Sequence, residues 1–176
     1  EMTTYFDKRK KFNGIKLQTS KWMRPQSNTA PTQAKAAGLY MICTLSKHIA
    51  EEKGFDDSLM LDSNGYVAES TGANIFFVKN NKLYTPVADC FLNGITRRTV
   101  IEIAKSKNIK VNERKISPDE LSSFVGSFLT GTAAEVTPIS KIAEHQNAQK
   151  PCHFQKIEYR QMSCVTVATV ARDQCQ

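Results

Sequence analysis

One stretch, residues 69–97 with the sequence ESTGANIFFVKNNKLYTPVADCFLNGITR, constrains this chain more than any other. It runs from a carboxylate, Glu69, to Asn74-Ile75-Phe76, and then into a hairpin whose second strand ends Leu83-Tyr84-Thr85. After a short connection, Leu92-Asn93-Gly94-Ile95-Thr96-Arg97 sets a glycine and free backbone amides at the mouth of a helix. Such a mouth grips phosphate, because the first amides of a helix lack an internal partner and the helix dipole favours an anion. One end of the stretch therefore suits a cationic ring nitrogen, and the other a phosphate.

Periodicity organises the chain around that stretch. Residues 14–19 alternate, Ile15 and Leu17 against Lys16 and Gln18, and predict a strand. Residues 22–28, polar and carrying Pro25, read as a connection. A helix is predicted from Pro31 to near Gly54, with Gly38, Met41, Ile42, Leu45 and Ile49 at helical spacing and Lys35 in its first turns. Asn64-Gly65, between Leu59-Met60-Leu61 and Tyr66-Val67, signals a hairpin, and a second one turns at residues 79–81. Residues 96–107 form an amphipathic helix that buries Val100, Ile101, Ile103 and Ala104. Strand 109–116, a short helix opened by Ser117-Pro118-Asp119-Glu120, and strand character from 127 to 142 around Thr130-Gly131-Thr132-Ala133-Ala134 complete the pattern. Beyond Ile142 it weakens, leaving only residues 164–170 as a further strand. The fold class is α+β: residues 1–13 are a linker, 14–142 one strand-rich domain, and 143–176 an atypical continuation.

Composition narrows the function classes. A chain of 176 residues suffices for one domain with its own core. No run of about 18 apolar residues predicts a membrane helix. The start lacks the apolar region of a signal peptide, and its opening on Glu1 points to missing upstream sequence. Five cysteines without a C-x-x-C pair argue against a disulfide framework and fit reduced thiols in the cytoplasm. The three histidines lack metal-ligand spacing, so no metal is expected. The net charge of +7 has its densest patch at Lys8-Arg9-Lys10-Lys11, but no aromatic platform accompanies it. That patch reads as a solvated terminal segment rather than a nucleic-acid site.

Taken singly, the candidate residues have ordinary explanations. Lys35 resembles a surface lysine, although a desolvated lysine is what forms a Schiff base with an aldehyde cofactor. Tyr40 fits core packing, and Glu69 a solvated strand end. Glu69 also has the chemistry to keep a pyridine nitrogen protonated. Gly94-Ile95-Thr96 fits a helix start capped by Thr96, and Thr130-Gly131-Thr132 a plain turn. Two such loops can equally close on one phosphate from two sides.

Their order along the chain, lysine, tyrosine, glutamate, Gly-Ile-Thr-Arg, then Gly-Thr-Ala-Ala-Glu, resembles the class IV aminotransferases, which are fold-type IV and use pyridoxal 5'-phosphate. Within them, Pro31 through Tyr40, Leu61-Asp62 with Asn64-Gly65-Tyr66, and Thr130 through Ile139 are most similar to branched-chain amino-acid aminotransferases. The resemblance covers residues 14–142 and corresponds to the family's large domain. It implies a pseudo-barrel of strands flanked by helices, a homo-oligomer, and amino transfer between leucine, isoleucine or valine and 2-oxoglutarate. It further implies Lys35 as the Schiff-base and proton-shuttling lysine, Tyr40 at the cofactor's phenolic oxygen, Glu69 at the ring nitrogen and Leu92 on the ring face. Ile95, Thr96 and Thr132 would hold the phosphate, and Thr132-Ala133 the substrate carboxylate. The alternatives are D-amino-acid aminotransferase, aminodeoxychorismate lyase, or a domain that binds the cofactor without turnover.

Overall fold

The computed structural model describes Lys10, residues 13–143 and the short strand Cys152–His153. The proposed linker at 1–13, except Lys10 and Asn13, nearly all of the continuation after 143, and the expected strand at 164–170 lie outside the described residues. In chain order the elements are β1 (Ile15–Arg24), a 3-10 turn (Ala37–Tyr40) leading into α1 (Met41–Glu52), β2 (Asp57–Asp62), β3 (Val67–Ser70), β4 (Asn74–Lys79) and β5 (Lys82–Thr85). Then follow α2 (Ile95–Ser106), β6 (Val111–Glu113), a 3-10 helix (Pro118–Ser123), β7 (Gly126–Gly131), β8 (Glu135–Ala143) and β9 (Cys152–His153).

Strand β4 shows why two cores form. Its run Ile75-Phe76-Phe77-Val78 is apolar on both faces, so the sheet must be covered twice. Ile75 and Phe77 point into an inner cluster with Ile15, Leu17, Leu59 and Leu129. Phe76 and Val78 point the other way, into a cluster with Val100, Ile103 and Ala104 of α2. Phe76 also stacks on Phe128, its register partner in β7, with ring centroids 5.2 Å apart. Truncating a buried phenylalanine of this kind costs about 3–5 kcal/mol.

The sheet order is β3-β2-β1-β8-β7-β4-β5-β6, with β9 on β8. Pairing is parallel on both sides of β1 and between β5 and β6, and antiparallel elsewhere. The two ends of this path approach each other, because the Val67 amide donates to the Ile116 carbonyl just past β6 at 2.9 Å. The sheet thus curls around the inner cluster as a half-barrel with helices outside, in line with the α+β pseudo-barrel expectation.

Four local expectations need correction. Strand β1 runs through Trp22 and Met23 to a buried Arg24, where the polar composition predicted a connection. The helix predicted from Pro31 begins in α-form only at Met41, so Lys35 lies in the irregular segment before it. Small buried residues, Cys43, Ser46 and Ala50, form the sheet-facing side of α1, while Met41 and Leu45 are exposed. Two hydrogen bonds at Ser46, one shared between its hydroxyl and that of Ser20 and one from the Ser58 hydroxyl to its carbonyl, fix that rotation, which hydrophobic spacing does not encode. The strand predicted at 109–116 is only three residues long.

Both expected hairpins form, β2–β3 across Asn64-Gly65 and β4–β5 across 79–81, but the tight left-handed turn is in the second. Asn80 and Asn81 both have positive φ, 51° and 54°, and close the β4–β5 turn. At the Asn64-Gly65 site only the glycine is left-handed, and the Asp62 carboxylate accepts the Asn64 and Tyr66 amides in a longer turn. Asn81→Gly is expected to stabilise the chain by about 0.5 kcal/mol, since glycine adopts this conformation without a Cβ clash. Asn81→Val is expected to lose about 1–2 kcal/mol. Urea midpoints at unchanged m-value measure both.

Candidate active site

Three segments meet over the β3–β4 end of the sheet. Residues 31–35 are tied down by the Thr32 hydroxyl, which donates to the Asp89 carbonyl at 2.8 Å, and by the Gln33 side-chain amide, which donates to the Ala88 and Phe91 carbonyls. Loop 86–93 is anchored from below by Arg97, a fully buried side chain. Its guanidinium donates to Asn93 Oδ1, the Pro86 carbonyl and Glu113 Oε2 at 2.9, 2.9 and 2.7 Å. The third segment is the β7–β8 connection after Gly131. Between them lies a cavity of about 150 Å³.

Glu69 forms the floor and is buried. Asn74 Nδ2 donates to Glu69 Oε2 at 3.0 Å, and Arg24 Nε stands 3.5 Å from Glu69 Oε1 without a hydrogen bond. Burial pushes the carboxyl up to about 8 and the nearby Asp57 adds to the rise, while Arg24 and the Asn74 bond oppose it. An acid in this position needs a further cation or hydrogen-bond donor to stay charged at neutral pH. Burial likewise raises the Tyr40 hydroxyl, helped by the Glu69 charge.

Asn74 makes two more bonds, from Nδ2 to the Leu92 carbonyl at 3.0 Å and from the Gly94 amide to Oδ1 at 3.2 Å. Gly94 is the N-cap of α2, and a Cβ there would stand 2.6 Å from Asn74 Oδ1, so only glycine allows this approach. Thr96 does not cap the helix, since no side-chain cap bond is made. The Ile95 and Thr96 amides are left at the cavity mouth, as the first donors of α2.

The cavity gathers seven of the eight residues singled out from the sequence: Lys35, Tyr40, Glu69, Leu92, Ile95, Thr96 and Thr132. Ala133 is exposed and lies off the wall. Lys35 is also exposed, not desolvated, because the described residues around it form an open rim. Arg24, Asn74 and Thr130 take part in the site and are not among those eight. Arg24 gives no sequence signal, as it ends a strand inside a polar stretch; Thr130 is buried against the cavity with an unpartnered hydroxyl.

The model of the family described as "Amino-transferase class IV" matches residues 2–142. The chain belongs to the class IV aminotransferases. A "probable branched-chain-amino-acid aminotransferase" of Rickettsia bellii is 47% identical over 129 residues, covering 73% of this chain and 45% of that protein. The branched-chain aminotransferase of Thermoproteus uzoniensis with norvaline superposes with a TM-score of 0.83 at 33% identity, over 98% of this chain and 54% of that one. An aminotransferase from Brucella abortus bound to the cofactor PLP gives 0.77 at 28% identity, over 92% of this chain and 54% of that one. The chain thus spans less than half the length of the curated relatives it matches.

For this class IV chain, Glu69 implies a pH dependence with a definite sign. Its folded pKa, about 8, lies above the ordinary 4.5, so the folded state holds the extra proton between those values. The stability from Glu69 is present in full below about 4.5 and lost as pH rises through 8. Melting temperature, measured without ligands, is expected to fall across that window, and Glu69→Gln to flatten the slope.

Proposed function

We propose that this chain is the cofactor-holding part of a branched-chain amino-acid aminotransferase that binds pyridoxal 5'-phosphate. The supporting observation is one cavity that joins an amine on Lys35, a buried acid at Glu69 and the first amides of α2. The residues fit the cofactor chemically. A ring N–H cation is what a carboxyl raised by burial requires, and the amide mouth with the unpartnered Thr130 hydroxyl beside it is suited to an anion.

When bound, pyridoxal phosphate supplies an electron sink for negative charge at a substrate's α-carbon. The chain's own side chains then have separable duties. The Lys35 amine would hold the cofactor and carry the proton to and from the α-carbon. Glu69 would hold the proton on the ring nitrogen, with Arg24 and Asn74 favouring its charged form. The Tyr40 hydroxyl would serve the phenolic oxygen and Leu92 the ring face. The Ile95 and Thr96 amides and the Thr132 hydroxyl would hold the phosphate. Backbone at Thr132-Ala133 would receive the substrate carboxylate.

Leucine, isoleucine and valine are the proposed amino donors, a choice the names of the relatives support, and 2-oxoglutarate is the proposed acceptor. Among the described residues no helix is long and apolar enough to cross a membrane, and the reading includes a cytoplasmic homo-oligomer. Proton transfer at an amine works best with water excluded. Lys35 and Ile95 are exposed, so the reading also includes a cover from a second subunit or from a further part of a longer protein. That exposure favours a second reading, in which this chain alone binds the cofactor without turnover.

Visible spectra of the 176-residue chain with pyridoxal phosphate, beside Lys35→Ala, test both readings. The proposal predicts a lysine-dependent band that isoleucine bleaches, and L-leucine more readily than D-leucine. A lysine-dependent band indifferent to amino acids supports the second reading. No lysine-dependent band overturns both.

A further inference from the structure

Asn74 bonds both ends of the cavity with one side chain. Its orientation is forced: Nδ2 faces two acceptors, Glu69 Oε2 and the Leu92 carbonyl, while Oδ1 faces the Gly94 N–H. A flipped amide would set oxygen against two oxygens and nitrogen against a donor. The residue is buried, and it stands on β4 directly opposite Thr130 of β7. Its position is therefore fixed by the fold rather than by the loops it holds.

We infer that Asn74 is a positioning residue that sets the spacing between the ring-facing carboxylate and the phosphate-facing amides, an inference resting on the cofactor reading above. The bond to Glu69 fixes the direction of Oε2 and leaves Oε1 toward Arg24. The bond to Leu92 holds the residue that packs on the ring. The bond from Gly94 occupies that amide, so the donors available to an anion start at Ile95. A rigid ligand with a ring nitrogen at one end and a phosphate at the other would meet both partners already in place, which lowers the ordering cost of binding.

Asn74→Asp keeps the shape and reverses the pattern. The replacing oxygen would face Glu69 Oε2 and the Leu92 carbonyl, both 3.0 Å from the present nitrogen, and would bring a negative charge to the helix mouth. Asn74→Ser, smaller and neutral, carries the same comparison should the acid not fold, with folding checked by circular dichroism. Phe128→Leu, in the outer core, is the control for general loss of stability.

The test uses the two halves of the cofactor separately, pyridoxal followed by absorption and inorganic phosphate followed by phosphorus NMR. Removing Asn74 is expected to weaken each about tenfold and to change the absorption spectrum of bound pyridoxal phosphate at neutral pH, effects absent from Phe128→Leu. Loss at one probe alone, or at neither, overturns the bridging role while leaving the functional reading intact. Failure of the unmodified chain to take up pyridoxal phosphate through Lys35 overturns that reading and this inference together.

Discussion

A carboxyl group removed from water is the constraint around which the site is built. Burying Glu69 is unfavourable unless something nearby favours its charge, and the fold supplies only part of what is needed. Arg24 comes within ion-pair distance yet makes no hydrogen bond to it. Its Nη1 is engaged with the Leu39 carbonyl and the Cys43 sulfur instead. Asp57, on the neighbouring strand β2, pushes in the unfavourable direction. The result is a floor electrostatically incomplete among the described residues.

Rigid elements hold the floor, and tethered loops form the rim. Glu69 lies at the end of β3 and Asn74 begins β4, so both reach the cavity from strands whose other residues are locked into the inner and outer cores. The rim has no such core of its own. It depends on a few polar ties: Thr32 and Gln33 to loop 86–93, Arg97 beneath that loop, and Asn74 across to Gly94. This division matches precision where charge must be placed with access where ligands enter.

The sequence is most legible where local chemistry and tertiary role coincide. Gly94 at a helix mouth, the β4–β5 hairpin and the apolar face of α2 each follow from nearby residues, and the structure has them. Legibility fails where distant partners decide. Arg24 is buried because Glu69, Leu39 and Cys43 surround it, none of them near it in its own strand. The face of α1 is set by serine hydrogen bonds to β1 and β2, not by where its largest apolar residues fall. Alanine-rich surroundings predict a helix at Lys35, whereas ties from Thr32 and Gln33 to a loop more than fifty residues away hold its segment out of one.

The parallel pairing of β1 bears on how the chain reaches this arrangement. One flank of β1 is completed by β2, some forty residues later, and the other only by β8, which closes the described domain. A chain emerging from the ribosome therefore carries β1, with Arg24 at its end, half-paired until β8 has been made. Long-range closure of this kind slows folding, and an open strand edge is prone to pairing with other chains. The strands that carry Glu69 and Arg24 can thus both pair with β2 early, but the sheet behind them closes only when β8 docks on β1.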